Sequence, residues 1–349
     1  MTPVSEIDDD HLSRHPSVTF SGHLAFIHVE AIAMLPPVGC SPGTSCCKRL
    51  GCQQRFLFLI APALVIAVSL LLAGCSPNRM LARVVADQLA AQAQDQEDDL
   101  ELARDAAPFF LKLGESVLAR TPDHEGLAET MAAGFVRYAW AFVSFDADKI
   151  ESKDSATAAR LRQRAVNLYS RAEQHAFRAL EHHYPGLKKT LAEPHIGQQV
   201  LLLDPRHAGL AYWAAAAWGA RISLSKSDAE AIAQLPAAVR LTGLLTACCA
   251  DWRDGAVASL AATFEAGRPG GRVEIAKRWF DAAARASRGQ VAAIPLARAE
   301  ALPLAAGDRE EYTRLINDTI SIAKQFPSLD NRIMLDRALW LLETIDDRF

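Results

Sequence analysis

Helical periodicity dominates the sequence from residue 80 to the C-terminus. Apolar residues recur there every three or four positions, and no stretch of six residues alternates convincingly as a half-buried strand would. The longest pattern, Thr157–Tyr184, is followed by Pro185 and Gly186, which stop a helix. The predicted helices span Met80–Ala93, Leu100–Ala119, Leu127–Phe145, Thr157–Tyr184, Leu210–Leu224, Asp228–Gln234, Pro236–Ala250, Asp254–Glu265, Val273–Arg288, Ile294–Leu302, Asp308–Gln325 and Leu329 to the C-terminus. We therefore predict an all-α fold.

One of these helices, Leu100–Ala119, carries two signals of its own. An apolar stripe at helical spacing consists of Leu102, Ala106, Phe109 and Leu113. Pro108 lies in the same segment and is expected to kink the helix or to mark a boundary, because proline removes a backbone donor and clashes with the preceding turn.

Similar punctuation separates several of the predicted helices. Small or apolar residues end one helix, Pro or Asp follows, and a new helix begins, as in LARTPDHEGL (118–127) and RALEHHYPGL (178–187). This order is typical of tetratricopeptide-like helical hairpins, although the spacing between junctions is not constant. We predict stacked, degenerate hairpins, which together would present a concave surface to a protein or an extended ligand.

An apolar run, Phe56–Cys75, precedes the helical part and follows basic residues at 48, 49 and 55. A positive flank, an apolar centre and small residues before a cut are the features of a secretory signal. The ending Leu72-Ala73-Gly74-Cys75 resembles a bacterial lipobox, which implies diacylation of Cys75 and cleavage before it. A retained transmembrane helix is the alternative, because the run is close to the spanning length.

This interpretation divides the chain into four parts. Residues 1–47 are predicted to be a disordered or untranslated extension, and 48–74 the lipoprotein signal peptide. Residues 75–99 would hold the anchor, a linker and the first helix, and 100–349 the helical-repeat domain. Ser76 follows the cysteine where Asp would otherwise stand, which resembles lipoproteins sorted to the outer membrane. We expect the protein at the periplasmic face of the envelope, with the outer membrane favoured over the inner.

The charge and the cysteine spacing argue against some classes of partner and of cysteine chemistry. The formal net charge is −4 and no basic stripe is present, which argues against nucleic acid as a partner. Cys248 and Cys249 are adjacent, a spacing that fits neither a CxxC redox site nor a zinc knuckle. We favour a buried, inert pair on a helix; a vicinal disulfide in an oxidising periplasm is the alternative.

Six aromatic residues are candidate contacts for a ligand or a partner protein, because aromatic side chains dominate binding hot spots. They are Tyr138, Trp140, Tyr212, Trp213, Trp218 and Trp252. A plain core role is the alternative, and we favour it for the aromatic stripe at 135, 138, 142 and 145. In Leu210–Leu224 the small residues around Gly219 would let a neighbouring helix pack closely, with the two tryptophans flanking that face.

No combination of residues predicts a metal, a cofactor or catalysis. His175 and His182 share a helix face, but no third ligand is evident at comparable spacing. The acidic segment 146–154 lacks the glycine and the closing glutamate of a calcium loop, so we interpret it as a solvated linker. The carboxylates Asp251, Asp254 and Glu265 have no nucleophile or base beside them, so an enzyme is disfavoured.

Five blocks give the chain a specific resemblance. They are Arg104–Val143, Leu168–Leu187, Tyr212–Glu230, Asp251–Gly271 and Ala276–Gly289. In order, and over about Arg104–Trp340, they resemble the T-component family of tripartite ATP-independent periplasmic (TRAP) transporters. The resemblance implies a periplasmic, lipid-anchored helical-repeat protein that binds the transporter's substrate-binding subunit, forms homo-oligomers and handles an apolar ligand. It implies no catalytic residue. An envelope assembly or adaptor lipoprotein unrelated to transport is the alternative function.

Overall fold

The computed structural model describes residues 77–91, 99–193 and 201–349. The predicted signal, residues 1–47 and Cys75 lie outside these ranges. Within them every regular element is a helix and no strand occurs, which confirms the all-α prediction. The described residues all belong to one compact unit.

The bounds of the helices follow most of the predicted ones closely. In chain order they are α1 Pro77–Ala91, α2 Leu100–Leu118, α3 Glu125–Tyr138, α4 Phe145–Ile150, α5 Ser155–His183, α6 Leu187–Ala192, α7 Ala208–Leu224, α8 Ala229–Ala233, α9 Leu235–Cys249, α10 Trp252–Gly267, α11 Val273–Ala286, α12 Ala293–Ala301, α13 Pro303–Ala306, α14 Arg309–Gln325 and α15 Leu329–Glu343. A π-helical segment, Ala139–Ser144, joins α3 to α4, and single 3₁₀ turns occupy Pro205–His207 and Ile345–Asp347.

Side-chain caps explain why several helices begin where they do. Asp154 accepts a hydrogen bond from the backbone N–H of Thr157 at the start of α5, and Ser328 accepts one from Asn331 at the start of α15. At the other end of α5 the chain turns through Gly186, whose φ of 72° is readily adopted by glycine alone. The stop predicted at Pro185 and Gly186 is therefore confirmed.

The structure shows what becomes of the two sequence signals in α2. The helix runs through Pro108 without a boundary. The stripe at 102, 106, 109 and 113 is exposed, with Phe109 exposed by 74%, and the buried face instead carries Leu111, Gly114 and Leu118. Because α2 has apolar residues on both faces, periodicity alone could not decide which face meets the core.

The main core lies between α3, α5, α7 and α9. Tyr169, Leu180, Trp218 and Leu241 are almost fully buried there. A neighbouring helix packs closely against the small-residue face predicted on α7. The Phe264 ring of α10 lies so near Gly219 that a Cβ at position 219 would be 2.6 Å from its Cζ atom. Consecutive helices also pair as hairpins, notably α10 with α11 and α14 with α15. Their arrangement as a tetratricopeptide-like array stays a prediction.

The C-terminal helices return to the N-terminal ones. Phe145 of α4 meets Trp340 of α15 edge to face, at 5.3 Å between ring centroids. Arg337 of α15 binds Asp148 of α4 at 3.3 Å and Glu300 of α12 at 2.8 Å. Segment 146–154 is therefore not the solvated linker we expected, since its first half is helix α4 and its carboxylates join distant helices.

Cys248 and Cys249 form a vicinal disulfide at the end of α9. The expected buried thiol pair is therefore wrong on two counts, because Cys248 is also exposed. The segment Ala229–Cys249, which contains α8 and α9, is long and apolar enough to cross a membrane by length and composition. Its residues Leu241 and Leu245 are fully buried in the main core, as expected of a core helix.

Candidate functional site

Three of the six predicted aromatic residues meet where α7 passes the start of α10. The Tyr212 ring lies 4.9 Å from that of Trp213 and 5.0 Å from that of Trp252, measured between centroids. Tyr212 and Trp252 are half-buried, whereas Trp213 is 6% exposed. These three rings form an apolar wall, which we call the aromatic cluster.

Two guanidinium groups lie over this cluster. The Cζ atoms of Arg137 and Arg253 are 5.3 and 5.8 Å from the centre of the Trp213 ring, within cation–π range. Asp330 of α15 accepts a hydrogen bond from Arg137 at 3.0 Å and lies 3.9 Å from a nitrogen of Arg253. One carboxylate therefore balances two cations, at the point where α15 returns to α3.

The backbone holds Arg253 in an unusual conformation. Arg253, Asp254 and Gly255 all have positive φ, at 48°, 55° and 86°. Each non-glycine residue in this region costs about 1–2 kcal/mol. Gly255 has a further constraint, because a Cβ there would lie 2.7 Å from the carbonyl oxygen of Ala283 in α11. Such strain persists where surrounding structure enforces it and is common at functional sites.

A second carboxylate, Glu129 of α3, lies at the edge of the same site. Burial raises its pKa above the ordinary value of 4.5, and the nearby Arg253 opposes the rise. Among the described residues it has no hydrogen-bond partner, in contrast to the paired Asp330. The α7 backbone approaches it closely, since a Cβ on Gly209 would overlap its carboxylate at 2.1 Å. Glycine at position 209 thus makes room for the acid.

The site also contains an unsatisfied donor. The indole N–H of Trp213 is buried and has no partner among the described residues. A buried donor without a partner costs about 1–3 kcal/mol, so most native structures avoid it. The neighbouring Tyr212 is enclosed enough that burial raises its pKa, although part of its surface remains accessible. Both groups therefore lie in a partly enclosed apolar environment.

Comparison with known proteins identifies the family. The family described as TRAP transporter T-component matches residues 96–349, which is most of the chain. The chain belongs to this family. A protein of Treponema pallidum (strain Nichols), described as an uncharacterized protein, is 24% identical over 308 residues, covering 81% of this chain and 95% of the relative.

Membership of the T-component family assigns the protein to the accessory components of TRAP transporters and associates it with the cell envelope. The family is transport-associated and non-enzymatic. Of the carboxylates considered for catalysis, Glu265 forms an ion pair with Arg268 through two contacts of 2.8 and 3.0 Å. Asp251 and Asp254 lie exposed at the strained turn.

The other three predicted aromatic residues of the T-component lie elsewhere. Trp218 is 1% exposed and belongs to the core, where its indole N–H donates to Gln234 at 2.9 Å. Tyr138 is buried and its hydroxyl accepts a hydrogen bond from Arg164. Trp140 lies in the π-helical segment beneath Arg337, at the junction of three apolar clusters.

Sequence reasoning missed the charged half of the site. Arg137 and Asp330 are 193 positions apart, and no local pattern indicates that they meet. Arg253 lies in the DWRDG turn, whose glycine signalled a turn but not three left-handed residues in a row.

Proposed function

We propose that this T-component is a lipid-anchored periplasmic accessory subunit that binds the substrate-binding subunit of a TRAP transporter. We further propose that the site around Trp213 holds a ligand with an apolar or aromatic body and an anionic group. The observation that carries the ligand proposal is the unsatisfied indole N–H of Trp213, together with the two guanidinium groups that lie over the face of the same ring.

The chemistry of the site supports an anion. Guanidinium groups pair with carboxylates, sulfonates and phosphates through two parallel hydrogen bonds, and both arginines retain donors beyond those they give Asp330. The side chain of Arg253 is 38% exposed, so a ligand can reach it. A ligand acceptor would also satisfy the Trp213 donor, and the Tyr212 and Trp252 rings would cover the ligand's apolar body.

Binding of an anion at this site can be tested with the fluorescent probe anilinonaphthalene sulfonate, which carries an aromatic body and a permanently ionised group. Fluorescence titration should show saturable binding to the folded protein. Arg253→Met should weaken this binding about tenfold or more, because a hydrogen bond to a charged group contributes about 1.5–3 kcal/mol. Arg268→Met is the matched control, since Arg268 pairs with Glu265 away from the site. Equal affinities in the two variants would contradict the proposal.

A second surface supports partner binding. Adjacent helices α1 and α2 both expose large apolar side chains. They are Met80, Leu81, Val84 and Val85 on α1 and Leu102, Phe109 and Leu113 on α2. Exposed apolar patches mark sites of protein or membrane contact. We assign this face to the substrate-binding subunit.

Co-purification with the co-expressed substrate-binding subunit tests the assignment. Phe109→Ser should abolish capture, whereas Val273→Ser, which changes another exposed apolar residue on α11, should not. Light scattering of the same variants distinguishes the two possible occupants of the face. Loss of a homo-oligomer with capture intact would show that the face joins copies of this chain, and it would overturn the assignment.

The anchor belongs to the same proposal. Diacylation of Cys75 would hold the helical unit at a membrane, because one acyl chain binds only marginally and two make attachment stable. Mass spectrometry of the envelope-extracted protein should find Cys75 as the modified first residue. An unmodified thiol there, on a chain that retains the apolar run, would indicate the transmembrane alternative.

A further inference from the structure

Three segments bring two histidines and a glutamate together, away from the aromatic cluster. Glu125 is the first residue of α3, His183 is the last residue of α5, and His207 ends the 3₁₀ turn before α7. Their ligand atoms all lie within 4.8 Å of one another. The Nε2 atom of His183 is 2.6 Å from one Glu125 oxygen, and the Nε2 atom of His207 is 3.7 Å from the other.

The donor set is one that transition metals prefer. Two imidazole nitrogens and one carboxylate are the protein ligands of many zinc sites that keep a fourth position open. In a tetrahedral site of this kind the ligand atoms are about 3.3 Å apart and the ion lies in the plane of each imidazole ring. The His183 and His207 rings are stacked, with 4.1 Å between centroids and 26° between planes, so binding needs movements that turn the His183 ring out of the stack and draw its Nε2 atom away from Glu125. The side chains of His183 and Glu125 are 38% and 43% exposed and can make them.

The third ligand is held firmly in place. His207 is buried, and its Nδ1 atom lies 2.9 Å from the hydroxyl of Tyr184. The same hydroxyl accepts a hydrogen bond from the backbone N–H of Asp204, also at 2.9 Å. With Nδ1 engaged, Nε2 is the nitrogen left to face Glu125. Metal-bound histidines generally have such a partner on the other ring nitrogen, which fixes the orientation of the ring.

We propose that Glu125, His183 and His207 bind one divalent transition-metal ion, with zinc preferred. The ion would be bound by Nε2 of each histidine and by the Glu125 carboxylate, and it would join the ends of α3, α5 and α7. Nearby, Arg206 is exposed and is paired with Asp204 through contacts of 2.7–3.2 Å, so its charge is largely balanced. The proposal is independent of the ligand and partner proposals above.

Helical spacing alone did not indicate this cluster. His175 and His182 share a helix face, but His175 binds Glu115 and His182 is exposed outside the cluster. The residue after His182 is the one that meets His207, 24 positions further along the chain. A ligand contributed by the turn before α7 could not be found from periodicity within α5.

The test uses the full chain, solubilised in detergent and stripped of metal with a chelator. Calorimetric titration with zinc chloride should show one site, and cobalt chloride should give the visible absorption of a tetrahedral ion. His183→Ala should lower the zinc affinity by more than about 100-fold, beyond the 10–100-fold that loss of an outer hydrogen-bond partner causes. Tyr184→Phe should produce that smaller loss, because it releases His207 without removing a ligand.

His182→Ala is the matched control, since it removes an exposed histidine one position away and leaves the cluster intact. All variants keep the same cysteines, so the difference between them reports on this site alone. Far-ultraviolet circular dichroism establishes that each variant is folded. Wild-type affinity in the His183→Ala variant, or no zinc binding by the unaltered chain, would overturn the proposal.

Discussion

Trp213 and Trp218 lie five residues apart on α7, and both are buried beneath cationic side chains, but the polar groups around them are satisfied to different degrees. The Trp218 indole donates to Gln234, packs edge to face on Phe177 and is almost fully buried. Arg221 and Lys188 beside it bind the buried Glu173 at 2.9 and 2.5 Å. The indole N–H, the two cations and the buried carboxylate around Trp218 therefore all have partners. The Trp213 site has an unsatisfied indole, a strained turn and a carboxylate with a raised pKa.

The difference teaches how one helix can serve two purposes. Satisfied polar groups and well-packed rings stabilise a core, and nothing remains for a ligand to gain there. Unsatisfied groups lower stability and persist only where the surrounding structure enforces them or where function requires them. On α7 the polar groups are satisfied around Trp218 and partly unsatisfied around Trp213. The contrast can be tested by matched substitutions in the two places.

The largest effect is expected from Gly255→Ala at the strained turn. A side chain at positive φ costs about 1–2 kcal/mol, and overlap with the Ala283 backbone adds about 1–3 kcal/mol. Denaturant unfolding should therefore show a loss of about 2–5 kcal/mol. Gly243→Ala on α9, where a Cβ meets open space, should instead stabilise by about 0.5–1 kcal/mol. Equal effects would show that the turn is not strained.

Two isosteric substitutions compare the carboxylates. Glu173→Gln leaves Arg221 and Lys188 without a counter-charge and should cost about 3 kcal/mol in unfolding free energy. Glu129→Gln removes a buried charge that has no hydrogen-bond partner among the described residues, so stability should stay constant or rise. A large loss in the second variant would mean that the Glu129 charge has a stabilising role.

The tryptophans themselves give a smaller difference. Trp218→Phe loses the bond to Gln234 and leaves a small cavity, which should cost about 1–3 kcal/mol. Trp213→Phe removes a donor that has no partner, and the relief should offset the lost volume to within about 1 kcal/mol. Equilibrium unfolding in urea measures both. The reverse order would contradict the contrast between the two places.

The smallest effect is a pH dependence of probe binding. As the pH falls through the pKa of Glu129, which burial raises above 4.5, the carboxylate becomes neutral. Its repulsion of a sulfonate then disappears, so the affinity for anilinonaphthalene sulfonate should rise, by up to about tenfold for an interaction of about 1.4 kcal/mol. Glu129→Gln should show the higher affinity at neutral pH and no dependence on Glu129. A wild-type profile in that variant would exclude this carboxylate as the cause.

Local chemistry made most of the helices predictable from the sequence. Caps such as Asp154 and Ser328 and the glycine at 186 act on neighbouring residues, so their effects are visible in a short window. The sequence also indicated Tyr212, Trp213 and Trp252 as candidates, because aromatic residues are rare enough to be considered singly, and the structure brings their rings together. The all-α class and the family follow from such patterns.

The rest of the site depends on contacts that no short window contains. Asp330 reaches Arg137 only because α15 returns to α3, and the backbone at Arg253 is fixed by packing of α10 on α11. The exposure of the stripe around Phe109 could not be predicted for a related reason. Which of two apolar faces of α2 is buried depends on where α1 and α3 lie, and periodicity does not encode that.

The contact of Arg337 with Asp148 spans 189 positions of the chain. Because α15 is synthesised after all the helices described before it, Trp140, Phe145 and Asp148 acquire these neighbours late in synthesis. A chain truncated before α15 would expose those rings to solvent and to aggregation. In the folded molecule α15 is tied to α4, so proteolysis and hydrogen exchange should report these two helices opening together.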